Sequence, residues 1–113
     1  MFYMGSSKDF PNRRLYSVGK VVIDKSFHTQ NADEEFFRFF GNGVIYSIRR
    51  TVEENDFSRL EACIASAETD NIRSTAVRMR SRSGEMRWML VSVKMLSYES
   101  EEPLYSVEIS DVL

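Results

Sequence analysis

The chain has 113 residues, 42% of them hydrophobic and 28% charged, the balance of one soluble globular domain and too apolar for a disordered one. Its 15 basic and 17 acidic residues leave a net charge of −2, which excludes a general nucleic-acid binder, whose affinity comes from neutralising phosphates. A single cysteine, Cys63, excludes an internal disulfide, and one histidine beside it leaves little material for a metal site or a catalytic triad.

A domain of this length buries about two thirds of the surface its unfolded chain exposes, so a hydrophobic core suffices to hold it. No stretch has the length and apolarity of a membrane span, and the N-terminus lacks a basic region followed by an apolar one. An unpaired thiol fits a reducing, cytoplasmic setting.

Residues 1–17 are irregular, punctuated by Gly5-Ser6-Ser7 and Pro11-Asn12. They read as an N-terminal arm, or as a short helix laid on the domain or a partner. Residues 18–113 then form a single domain. Val18 to Phe27, with β-branched Val21, Val22 and Ile23, reads as a strand running into the turn Asp24-Lys25-Ser26. Phe27 to Gln30 reads as a second short strand, making a hairpin.

Asn31, with Glu34 three residues on, matches a capping box. Phe36, Phe37, Phe39 and Phe40 supply an aromatic helix face, and Gly41 and Gly43 stop the helix. Val44 to Val52 is a short helix or an extended connector. Asn55-Asp56 reads as the cap of a longer helix, about Phe57 to Thr69, in which Phe57, Leu60, Ile64 and Ala67 fall at helical spacing beside Cys63. Strands follow over Ile72–Arg82, Glu85–Tyr98 and Leu104–Val112, separated by the turns Ser83-Gly84 and Glu99–Pro103. Short turns between long strands make antiparallel neighbours. The plan is α+β: a five-stranded antiparallel sheet with helices packed on one face.

Strand alternation divides the sheet into two faces. Val77, Met79, Met89, Val91, Val93, Met95, Tyr105, Val107 and Ile109 form an apolar set that should meet the helices. Arg78, Arg80 and Arg82 belong to the outward set, on an edge strand, where charge discourages unwanted pairing. Trp88 and Leu90 also face outward. A tryptophan on a solvated face calls for a cover, supplied by residues 1–17, by a second subunit or by a neighbouring domain.

Gly84-Glu85-Met86-Arg87-Trp88-Met89-Leu90-Val91 is similar to the hairpin of PAS domains, in which a glycine turn leads into Glu-x-Arg-Trp and alternating apolar residues. Ala76 to Arg80 resembles the arginine-bearing strand before that turn. Glu53 to Leu60 resembles the acidic entry to the long PAS helix, Asn31 to Gly41 the short helix ending in Phe-Gly, and Tyr105 to Val112 the last strand with its terminal Asp-Ile-Thr.

The resemblance implies a sensory and protein-interaction module rather than an enzyme. Such a module forms a homodimer and controls a C-terminal output domain, commonly a histidine kinase or diguanylate cyclase, beyond Leu113. On that reading Trp88, Leu90, Arg78 and Arg80 are the partner face, and Asp111 and Val112 are where a signal leaves. Flavin-binding members carry a reactive cysteine in an Asn-Cys-Arg-Phe-Leu-Gln type of segment, which this chain lacks. Haem-binding members present a histidine from the long helix, and Phe57 to Thr69 has none. No flavin, haem or metal is expected.

Two alternatives stand beside this reading. In one, a small organic ligand gates the domain from a core cavity lined by Phe57, Leu60, Cys63, Ile64, Val77, Met79, Met89 and Val91. In the other the domain is a small α+β enzyme, for which His28 with Asp24 or Asp33 is the candidate acid–base pair.

Overall fold

The computed structural model describes residues 14–41, 47–96 and 102–112. One antiparallel sheet has the strand order β2-β1-β5-β4-β3, built from β1 (Leu15–Asp24), β2 (Thr29–Ala32), β3 (Arg73–Arg80), β4 (Met86–Met95) and β5 (Leu104–Val112). Between β2 and β3 the chain forms α1 (Glu34–Phe40), two 3-10 turns (Ile48–Thr51 and Glu54–Asp56) and α2 (Phe57–Ser66). α1 packs on β1 and α2 on β3. The fold is the α+β sheet-and-helix plan expected from the sequence. The alternation also held: Val77, Met79, Met89, Val91, Val93, Val107 and Ile109 are buried with Val21 and Ile23 in one core.

β1 begins at Leu15, not Val18. Leu15, Tyr16 and Ser17 pair with Val112, Asp111 and Ser110 across a register shift between Ser17 and Gly19, a bulge. Gly19 has φ +146°, and a Cβ there would lie 2.6 Å from the Phe36 backbone. Only glycine lets α1 cross the strand so closely. The rest of the expected arm, residues 1–13, lies outside the described residues, as do Gly43, Val44, Ile45, Tyr98 and Leu113.

The hairpin is organised by Asp24, whose carboxylate accepts the backbone N–H groups of Ser26 and His28. Phe27 sits in the turn at φ +69°, with its ring buried 4.8 Å from that of Phe57. The second strand therefore runs over Thr29–Ala32 instead of starting at Phe27. Asn31, still in the strand opposite Val22, does not cap α1. Asp33 does: its Oδ1 accepts from Phe36 N–H at 2.9 Å, and its Oδ2 accepts from Lys20 N–H on β1 at 3.1 Å. Gly41, at φ +83°, closes the helix with its N–H on the Phe37 carbonyl.

Asp56 does not cap α2 either. It sits at φ −98° and ψ −11° after a 3-10 turn, outside the extended region a cap requires, and makes no capping hydrogen bond. α2 ends at Ser66, short of Thr69, because Ala67 turns extended and the Glu68 carbonyl accepts from Met95 N–H at the end of β4. The β3–β4 turn is wider than Ser83-Gly84. Ser81 N–H donates to the Glu85 carbonyl, and Gly84 N–H returns to the Ser81 carbonyl, so β3 ends at Arg80 and β4 starts at Met86.

Candidate functional site

The free edge of β3 is where the helical segment and the sheet exchange most of their polar contacts. Arg78 N–H donates to Asp56 Oδ2 at 2.9 Å, and the Arg78 carbonyl accepts from Glu53 N–H at 2.8 Å. The guanidinium then closes on the same carboxylate, Nε to Oδ2 at 2.8 Å and Nη2 to Oδ1 at 3.0 Å, and Nη2 reaches Glu53 Oε2 at 3.2 Å. Arg59 adds a contact to Asp56 Oδ1 at 3.1 Å and donates to the Ala76 carbonyl.

Asp56 is buried, with 2% of its surface exposed. Burial alone would raise its pKa. The hydrogen bonds from the Arg78 side chain dominate and, with its N–H and the Arg59 charge, hold the carboxyl down at about 2. The same pairing raises the Arg78 pKa. Arg78, expected in the basic stripe and on the partner face, has its charge neutralised by Asp56 and Glu53.

Trp88 lies beside Arg78 in the sheet and is 45% exposed on the outer face. The guanidinium carbons of Arg78 and Arg59 stand 5.3 and 5.9 Å from its ring, within cation–π range. The clasp at Asp56 thus also orients the tryptophan. Leu90, flanked by Ala76 and Ser110, is buried yet stands outside the core cluster. Met86 on β4 and the paired Leu15 and Val112 share this outer side by alternation. Arg80 is exposed, with its guanidinium toward the Gly84 carbonyl at 3.4 Å.

The eight residues read as a ligand cavity do come together, all in one buried cluster between α2 and the inner sheet face. Cys63 is buried, and burial raises its thiol pKa, the setting of an inert thiol rather than a reactive thiolate. Ile64 also lines a cleft of about 560 Å³ beside α2, with Phe27, Glu61, Met95 and Tyr105.

At the end of β5, Asp111 is buried on the inner side opposite Met89. Arg87 grips it through both oxygens, at 3.2 Å from Nε and 2.9 Å from Nη2, and turns Nη1 to Glu85 at 3.0 Å. This bidentate pair welds the last strand to its neighbour.

His28 is exposed on the hairpin, 3.3 Å from Asp24. That carboxylate also accepts the turn N–H groups of Ser26 and His28, and Asp33 is engaged at the α1 cap. Among the described residues, no three His, Cys, Asp or Glu side chains converge as metal ligands, and no helix is long and apolar enough to cross a membrane.

No protein-family model matches the chain, and no curated protein matches it in sequence. Among solved structures it is similar to the crystal structure of a PAS domain from a two-component sensor histidine kinase. The TM-score is 0.61 at 14% identity, over 80% of this chain and 81% of that one. The chain therefore has the PAS fold.

Proposed function

We propose that this domain is a non-catalytic sensory and docking module that pairs with a second copy through the outer face of its sheet. The observation that carries this reading is Trp88, a large apolar ring held at 45% exposure on the outer face beside Leu90, Met86, Leu15 and Val112. Tryptophan on a preorganised platform is a typical interface anchor. Dimer formation places the two β5 ends, with Asp111 and Val112, where they can pass a change to an output domain such as a histidine kinase or a diguanylate cyclase. A cytoplasmic location goes with this reading, since the thiol of Cys63 remains unpaired there.

Size-exclusion chromatography with light scattering tests it. The wild type should be a dimer at high protein concentration and Trp88→Ala a monomer. A monomeric wild type overturns the reading. A ligand-gated version draws on the methionines Met79 and Met89 in the core and on the cleft that reaches Ile64. Its test is native mass spectrometry and an absorption spectrum. A ligand-free, colourless protein that no metabolite stabilises thermally counts against it.

A further inference from the structure

The rim where α1 meets the β3–β4 turn has a different character from the rest of the molecule. A cleft of about 560 Å³ opens there between Arg38 and Phe39 on one side and Ser81, Arg82 and Arg87 on the other. The charged groups in its lining are three arginines and one carboxylate, Glu85, in a chain whose net charge is −2. The walls are tied together, because Arg82 N–H donates to the Phe39 carbonyl at 2.8 Å. The stem of Arg82 lies over Gly41, within 3.4 Å of where a Cβ would be, so its head is carried to the cleft on a packed base. Arg38 and Arg82 are exposed and make no ion pair among the described residues.

Arg87 supplies the fixed element. Asp111 holds its Nε and Nη2, which leaves Nη1 to Glu85, a side chain 61% exposed. An exposed pair of that kind contributes little and exchanges readily. Guanidinium forks are the donors best matched to phosphate or carboxylate oxygens, and the volume lies in the range of small-molecule pockets.

We infer that this cleft binds a small multivalent organic anion, bearing phosphate or paired carboxylates, held by Arg38, Arg82 and the Nη1 edge of Arg87. The bound anion takes the place of Glu85 on Arg87, while Asp111 keeps the guanidinium in position. Occupancy is then registered beside Asp111, at the end of β5. The inference does not depend on dimer formation.

The test is a titration of the 113-residue chain with pyrophosphate and, separately, citrate, followed by amide and arginine Nε–H NMR signals. Sodium chloride matches the ionic strength in a parallel titration. At least one anion should shift the Arg38, Arg82 and Arg87 signals saturably, with half-saturation on the order of millimolar or tighter. The anion that saturates names the class, phosphoryl or carboxylate. The double variant Arg38→Gln/Arg82→Gln should raise the half-saturating concentration about tenfold or more, as expected on losing charge-assisted bonds. Both positions are exposed and make no ion pair among the described residues, so the variant should fold, and the wild-type shift map stands without it.

Shifts that merely follow ionic strength, or equal binding by the double variant, overturn the inference. So does saturable binding of a poly-glutamate peptide when neither small anion binds, which would make the cleft a docking surface for an acidic protein segment.

Discussion

Arg78 and Arg82 lie four positions apart in the sequence, and alternation alone would turn both outward, yet the fold uses them in opposite ways. Arg78 meets a buried carboxylate and becomes a fastener: it closes the edge of β3, ties in the start of α2 and steadies Trp88. Arg82 lies past the end of β3, where the chain turns toward α1, and meets a backbone carbonyl through its N–H while its guanidinium makes no ion pair among the described residues. The difference shows that an arginine's role is set by which carboxylates the surrounding elements bring to it.

Removing the carboxylate attacks the fastened side hardest. Asp56→Ala leaves the Arg78 edge N–H and guanidinium without their partner, and should cost about 3 kcal/mol in urea unfolding. Asp56→Asn, which still offers a carbonyl oxygen to the edge N–H, should lose less. A loss below about 1 kcal/mol for Asp56→Ala would show that the clasp is ornamental.

Acid provides a gentler way to undo the same contact. The Asp56 pKa falls from 3.8 to about 2 on folding, so the folded state binds the proton less tightly than the unfolded chain. The stabilisation is complete above pH 4 and is lost as pH falls from about 4 toward 2. It amounts to about 1–2 kcal/mol once screening at the exposed arginines is allowed for. Asp56→Asn should lack that component of the acid response in denaturation curves measured between pH 5 and 2.

Trp88→Ala should cost the isolated fold about 1 kcal/mol, the scale of a partly exposed ring with cation–π contacts, while self-association falls much further. Equal losses in both would make the tryptophan a structural rather than a docking residue. Arg82→Gln, on the unfastened side, should change unfolding stability by no more than about 0.5 kcal/mol. A larger change would mean that Arg82 has a structural partner after all.

Much of the fold was legible from local pattern. The apolar alternation in residues 77–95 and 105–109 placed the inner face, and the last strand was bounded correctly at Leu104 and Val112. The outward position of Trp88 followed from the same alternation. The eight residues named for a core cavity lie in one buried cluster.

The caps were misread for a definite reason. Asn31, Asp33 and Asp56 all belong to residue types that cap helices, and the choice depends on backbone dihedrals that neighbouring strands impose. Asn31 is held by pairing with Val22, and Asp56 is turned away by Arg78. The clasp itself was hidden, although the acidic run from Glu53 to Asp56 and the outward Arg78 were both in view. Nothing local says that residues twenty-two positions apart will meet.

What the sequence determined by itself is the order of elements and which side of each strand is buried. Those follow from periodicities of two and 3.6 residues, set by backbone geometry within each segment. The tertiary structure alone decided which charges are neutralised. Whether Arg78 finds Asp56, Arg87 finds Asp111, or Arg82 finds no carboxylate among the described residues depends on strand register and on where α1 and α2 cross the sheet. Contact ion pairs and hydrogen bonds need their partners within a few ångströms, and only the packed fold sets those distances.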